Sequence, residues 1–188
     1  DTNGGILPSE ISRICQEVRA ALPAGVEVGI HCHNDANCAV ANSLVAVDAG
    51  ATPVQGTING FGERCGNANL GSIIAPLELK MGRHCVGRDS VARLCDLSKF
   101  VYDLANMRPA SHQPYVGLSA FAHKGGMHVA GMRKHEDTFQ HIDPALVGNL
   151  KRFVVSELAG RSNILFKIEE LNIDIKLGKD EARHIVSQ

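Results

Sequence analysis

Three short stretches carry residue types that could do chemistry: His-Cys-His-Asn-Asp at 31–35, Asn-Gly-Phe-Gly-Glu-Arg-Cys-Gly-Asn at 59–67, and His-Lys-Gly-Gly-Met-His at 123–128. In the first, His31 and His33 stand one residue apart. On an extended strand they share a face, with Cα atoms about 6.5 Å apart. Both imidazoles can then reach one ion at about 2.1 Å. A divalent cation held this way needs at least one more ligand, typically a carboxylate. The same spacing also suits two strand-end histidines that simply hydrogen-bond to their neighbours.

The second stretch holds Gly60, Gly62 and Gly66. Such a loop permits positive φ and close backbone approach to a ligand. Glu63 and Arg64 add a charged pair, and Asn67 has a side-chain carbonyl to offer a metal. An ordinary glycine-rich strand-to-helix loop would look the same. The glycine spacing is not G-x-G-x-x-G, so no dinucleotide fingerprint is present. In the third stretch, His123 and His128 flank Gly125-Gly126. That loop could deliver an imidazole to another domain or subunit, or it could be a tight turn whose histidines cap backbone groups. Cys65 lies beside Arg64, a setting that can activate a thiol. No partner base is near it in sequence, which favours a bystander.

The surrounding elements must position these groups. Ile11, Ile14, Cys15, Val18 and Leu22 recur at helical spacing, with Pro8 and Glu10 at the start and Pro23 and Gly25 at the end. From Val26 to His33 the pattern alternates, which predicts a strand. Cys32 falls on the face opposite the histidines and is expected to pack against a helix. Asp35 is expected to cap a helix ending at Gly50. A second strand is predicted from Val54 to Asn59, with Gln55, Thr57 and Asn59 on one face. A helix striped by Leu70, Ile73, Ile74 and Leu77 follows. Strands alternating with helices over short connections predict a parallel β/α array, whose functional groups gather at the C-terminal strand ends. Asp1-Thr2 fits the end of an earlier strand.

After about Gly82 the character changes. One helix is expected over 90–107, then a loop region rich in His, Gly and Pro. A short capped turn is expected at Asp143-Pro144, and a further helical stretch at 156–171. The expected division is residues 1–82 for the β/α part and 83–188 for a helical subdomain.

The bulk properties narrow the partners. The 188 residues are 44 % apolar with a formal net charge of −1, so nothing draws the chain to nucleic acid or an anionic membrane. No run is long and apolar enough to span a bilayer. Six scattered cysteines, none in a C-x-x-C pair, read as reduced thiols in a cytoplasmic protein. Both ends look cut, as expected of a piece of a longer chain.

Taken together, Asp-Thr-Asn-Gly-Gly, His-Cys-His-Asn-Asp and Asn-Gly-Phe-Gly-Glu-Arg-Cys-Gly-Asn, in this order and spacing, resemble the second half of a metal-dependent barrel. That barrel is shared by the 2-isopropylmalate, homocitrate and citramalate synthases and by the hydroxymethylglutaryl-CoA lyases. The stretches Phe-Ala-His-Lys-Gly-Gly-Met-His-Val-Ala-Gly at 121–131, His-Ile-Asp-Pro-Ala-Leu-Val-Gly-Asn at 141–149 and Ser-Glu-Leu-Ala-Gly-Arg-Ser-Asn at 156–163 resemble the citramalate branch most closely. The resemblance implies a TIM (β/α)8 barrel, of which the last strands are present, followed by a mostly helical linker. It implies that His31 and His33 are metal ligands, that Asn67 is a further ligand as in the lyases, and that Thr2 holds the carboxylate of a 2-oxo acid. It makes His128 a catalytic group reaching the partner's barrel in a homodimer. Several relatives carry Tyr where this chain has Phe139, so any role of that hydroxyl is lost or filled by another group. The glycine-rich loop is shorter than in the lyases, which favours a synthase.

The implied reaction condenses acetyl-CoA with a 2-oxo acid, pyruvate being favoured over the substrates of the 2-isopropylmalate and homocitrate branches. It needs a divalent metal ion (Mg, Mn or Zn) and belongs to branched-chain amino-acid biosynthesis. The third metal ligand and a glutamate that assists proton transfer would lie on strands outside these residues. The 188 residues alone are expected to be inactive, and a non-catalytic dimerising module is the rival reading.

Overall fold

A computed structural model of the chain describes residues 1–123 and 138–153. His128 and the helical stretch expected at 156–171 lie outside them. Helix α1 (Pro8–Ala21) leads into strand β1 (Ile30–His31); helix α2 (Ala39–Asp48) crosses to strand β2 (Val54–Gln55); helix α3 (Leu70–Leu79) follows. β1 and β2 pair in parallel, Ile30 opposite Val54 and His31 opposite Gln55. The alternating pattern thus produces the β/α winding it predicts.

Both strands are shorter than the sequence pattern suggests. Val26 donates its N–H back to the Pro23 carbonyl at 3.2 Å, in a turn. At the other end Asn59 adopts φ 64° and closes a 3-10 turn over Ile58–Gly60. Pairing persists as single bridges, His33 against Asn67 and Thr57 against Asn69. On the edge of β1 away from β2, the Asp1 nitrogen donates to the His31 carbonyl at 2.9 Å, and the Asp1 carbonyl accepts the His33 N–H at 3.2 Å. Bonds to the two residues flanking Cys32 are the parallel-ladder pattern. Asp1 therefore sits where the end of a preceding strand is expected.

Cys32 turns to the opposite face from the histidines and is fully buried with Ala39, Ala68, Ile73 and Leu77. Burial pushes its thiol pKa up. Ile11 and Cys15 of α1 close a second cluster with Ala46 and Ala51. All six cysteines are free thiols.

Local chemistry sets the helix starts. Pro8 opens α1, where its missing N–H costs nothing, and the Leu7 N–H reaches the Glu10 carboxylate at 3.4 Å. The start of α2 departs from expectation. Asn34, not Asp35, accepts the Ala39 N–H, at 3.1 Å, because the Asp35 carboxylate is drawn into an ion pair described below. Asn69 caps α3 by accepting the Gly71 N–H at 3.1 Å.

Beyond α3 the single helix expected over 90–107 divides into α4 (Arg88–Val91) and α5 (Leu94–Leu104), because Arg93 (φ −103°, ψ 5°) steps out of helical geometry. A second parallel pair joins β3 (Ala122–His123) to β4 (Arg152–Phe153). Asp143 caps a 3-10 turn over Pro144–Val147 as expected, accepting the Ala145 N–H at 3.0 Å. Ala75 of α3 shares a buried cluster with Val91, Leu94, Phe121 and Val147, so the β/α layer and the following region have a common core. Among the described residues no helix is long and apolar enough to cross a membrane.

Candidate active site

The C-terminal end of β1 presents His31 and His33 together. Their ring centroids lie 5.2 Å apart with planes at 64°. The glycine-rich loop returns along this strand end. Asn34 donates its N–H to the Gly66 carbonyl, and Ala68 to the Cys32 carbonyl, each at 2.9 Å. These two bonds bring Asn67 opposite His33. The Asn67 amide is oriented by its Nδ2, which donates to the Phe61 carbonyl at 3.0 Å.

Two buried atoms here have no hydrogen-bond partner: Nδ1 of His33 and Oδ1 of Asn67. Withdrawing such atoms from water without a partner is costly, and buried polar groups are nearly always paired. One imidazole nitrogen and one amide oxygen on facing residues, with His31 adjacent, form the mixed N/O donor set that a divalent cation accepts. The residues therefore fit the metal expected from the sequence. Among the described residues no group of three His, Cys, Asp or Glu side chains converges.

Thr2 occupies an open depression lined by Asp1, Asn3, Ile6, Asp35 and Arg64. The Asp1 carboxylate shapes it by accepting the N–H groups of Gly4 at 3.1 Å and Ile6 at 3.3 Å. Gly4 sits at φ 71°, and a Cβ there would strike the Asp35 carboxylate, so both conformation and space require glycine. Arg64 ties the loops together. It donates Nε to Asp35 Oδ1 at 2.7 Å, and Nη2 to Asp35 Oδ2 at 3.0 Å and to the Thr2 carbonyl at 2.9 Å. One guanidinium thus links the loops that follow Asp1, β1 and β2. It also holds the Asp35 carboxyl below the usual carboxylate range. The expected Glu63–Arg64 pair is the weaker contact, at 3.9 Å. Nothing in local spacing marks Asp35 and Arg64 as partners, because 29 positions separate them.

Asn59 also departs from expectation. It does not continue the strand face of Gln55 and Thr57, because the positive φ turns its side chain toward α5. Its Oδ1 accepts from Ser98 Oγ at 2.6 Å and from Gln113 Nε2 at 3.0 Å, and its Nδ2 donates to the Ser98 carbonyl at 3.0 Å. The Tyr102 hydroxyl donates to Gln113 Oε1 at 2.7 Å, and its ring meets Phe61 edge-on at 5.3 Å. An asparagine at a strand end before glycine was the available signal, since Asn tolerates positive φ best among non-glycine residues.

The remaining candidates divide. Cys65 is exposed and borders a cleft of about 570 Å³ that Asn67 and Tyr115 also line. His123 is buried in β3 rather than standing in an open loop. Phe139 is exposed.

Comparison with known proteins places this geometry. Residues 1–101 match the family described as HMGL-like. Residues 115–188 match the homocitrate synthase post-HMGL domain-like family. An (R)-citramalate synthase from Geobacter sulfurreducens is 61 % identical over 92 % of this chain and 32 % of its own length. One from Synechocystis is 49 % identical over 100 % of this chain and 35 % of its own length. The chain thus spans about a third of the length of the curated relatives it matches. In structure, HMG-CoA lyase of Bacillus subtilis superposes with a TM-score of 0.50 at 24 % identity, over 58 % of this chain and 38 % of that one. The fold is accordingly the end of a (β/α)8 barrel followed by a region whose described residues hold α4 and α5.

Proposed function

This chain belongs to the HMGL-like family, and from that premise we propose that it forms the closing part of a metal-dependent acyltransferase barrel (residues 1–82) with its linker subdomain (residues 83–188). The reaction is condensation of acetyl-CoA with a 2-oxo acid. The acetyl methyl group loses a proton, and its carbon bonds to the ketone carbon of the 2-oxo acid. The resulting alkoxide takes up a proton, and water cleaves the thioester to release CoA. Pyruvate as the 2-oxo acid, giving citramalate, is supported by the names of the relatives at 61 % and 49 % identity. The setting is cytoplasmic branched-chain amino-acid biosynthesis.

The observation that carries this reading is the pair of unpartnered buried atoms, His33 Nδ1 and Asn67 Oδ1, beside His31. His31, His33 and Asn67 would hold a divalent cation, which when bound would supply Lewis acidity where negative charge develops on the ketone oxygen. Thr2 donates its hydroxyl to the carboxylate of the 2-oxo acid. Arg64 holds the Thr2 backbone in place through its carbonyl. His128 moves a proton from the linker of one subunit into the barrel of the other, which makes the working unit a homodimer.

The test is metal content after dialysis of full-length His31→Ala and His33→Ala, with activity assayed on the same samples. Both variants should lose metal and turnover together. Parental metal occupancy in both would make these histidines structural and overturn the reading.

A further inference from the structure

Asn67 is tied to helix α5 through the turn at residues 59–61. Its Nδ2 is fixed by the carbonyl of Phe61 at 3.0 Å, and its backbone N–H by the carbonyl of Gly60 at 3.1 Å. Residues 59–61 therefore decide where the Asn67 oxygen points. That turn is in turn clamped to α5. Asn59 accepts from Ser98 Oγ at 2.6 Å and donates to the Ser98 carbonyl at 3.0 Å, so two antiparallel bonds fix its amide against one helical residue. Gln113 Nε2 gives Asn59 Oδ1 a second donor at 3.0 Å, and the Gln113 oxygen takes the Tyr102 hydroxyl at 2.7 Å. The ring of Phe61, whose carbonyl orients Asn67, rests edge-on against Tyr102. Ser98 and Gln113 are both buried, which shields these bonds from competing water.

A flip of the Asn59 amide would set its oxygen against the Ser98 carbonyl, two acceptors with no proton between them, so the arrangement with Nδ2 on that carbonyl is the satisfied one. The arrangement leaves Asn67 Oδ1 buried and unpartnered, with its lone pairs free. Outer partners of metal ligands act by fixing such orientations, and their loss typically costs 10–100-fold in metal affinity.

We infer that Asn59 and Ser98 are positioning residues for the metal ligand Asn67, and that α5 thereby sets the metal affinity of the barrel end. This rests on the metal reading of His31, His33 and Asn67 given above.

The experiment is Mn²⁺ titration of the full-length protein, with His33→Ala, Asn67→Ala, Asn59→Gly and Ser98→Ala as variants. Glycine at 59 keeps the positive φ while removing the side-chain bonds. Alanine at 98 favours the helix, so that variant retains its fold if the other does not. Each should weaken Mn²⁺ binding roughly tenfold. In an Asn67→Ala background neither should weaken it further, since both act through Asn67. If His33→Ala and Asn67→Ala weaken binding while Asn59→Gly and Ser98→Ala match the parent, the inference is overturned and the metal reading stands. An equal further loss in the Asn67→Ala background would also overturn it, because general loosening would then be the cause. Parental affinity in His33→Ala would remove the metal reading itself, and the inference with it.

Discussion

Glu78 and the His33–Asn67 pair are both polar and largely withdrawn from solvent, yet their hydrogen-bonding states are opposite. The Glu78 side chain is 1 % exposed. Its Oε1 accepts three consecutive backbone N–H groups, from Cys85 at 2.7 Å and from Val86 and Gly87 at 2.8 Å each. Those bonds push its pKa down to about 2. That oxygen fixes the turn between α3 and α4 and is fully occupied, while Oε2 faces His84 Nδ1 at 3.7 Å. At the end of β1, by contrast, His33 Nδ1 and Asn67 Oδ1 are buried with no partner at all. A saturated polar group holds a chain in shape; an unsaturated pair on facing residues is what the proposed cation would satisfy. The Asp35–Arg64 pair lies between these extremes. It is saturated, but only half-withdrawn from water, and it links loops rather than closing one.

Breaking the open pair should have the largest effect. His33→Ala is expected to lower metal affinity by more than about 100-fold, beyond what outer partners contribute, with activity falling to background. His128→Ala comes next. Metal and 2-oxo acid binding should persist while kcat falls by roughly 100-fold or more, the typical contribution of a proton-transfer group. Mixing it with His31→Ala should restore activity in hybrid dimers, since each hybrid assembles one undamaged barrel with one undamaged linker. Background activity in proven heterodimers would confine linker and barrel to one subunit or remove His128 from catalysis.

The intermediate pair should give an intermediate result. Arg64→Ala is expected to raise KM for the 2-oxo acid about tenfold with metal content unchanged, because the Thr2 carbonyl loses its charge-assisted partner. Arg64→Lys should recover little, as an ammonium cannot reproduce the two-pronged contact with Asp35. A metal loss in Arg64→Ala would place Arg64 with the open pair instead.

The saturated site should respond in stability alone. Glu78→Gln is expected to leave metal content and KM at parental values and to lower the thermal midpoint on the order of 5 °C. The sign of its pH dependence follows from the depressed pKa. A carboxyl whose pKa falls from 4.5 to about 2 on folding stabilises fully above 4.5, and that contribution is lost as pH drops toward 2. Urea midpoints of parent and Glu78→Gln should therefore converge across that window. Convergence at neutral pH would contradict the assignment.

What could be read from the sequence follows the range of the interactions. The alternation through Ile30 and Cys32 placed both histidines on one face and the cysteine in the core, because strand geometry is local. The Asp143 cap and the start of α1 at Pro8 were equally legible. The neighbours of Asp35 suggest a helix cap; its partner Arg64 is visible only once the loops are assembled. Alternation puts Asn59 on a strand face and carries no warning of a single positive φ. The burial of Glu78 depends on three N–H groups that converge only when the turn closes, and a lone glutamate at the end of an apolar helix gives no hint of that. The division of α4 from α5 was likewise hidden, because Ala92-Arg93 has no sequence break and the kink lies in the backbone.

The cluster of Ala75, Val91, Leu94, Phe121 and Val147 bears on how such genes could recombine. A crossover between α3 and α4 would join two helices through an exposed turn, and the chain itself would tolerate the seam. The descendant, however, would inherit Ala75 from one parent and its four buried neighbours from the other. Where the parents differ in side-chain volume at these positions, the hybrid would carry a void or an overlap. The seam that looks safest along the gene therefore cuts through one packed core, and viable shuffling would favour exchanges that carry α3, α4 and α5 together.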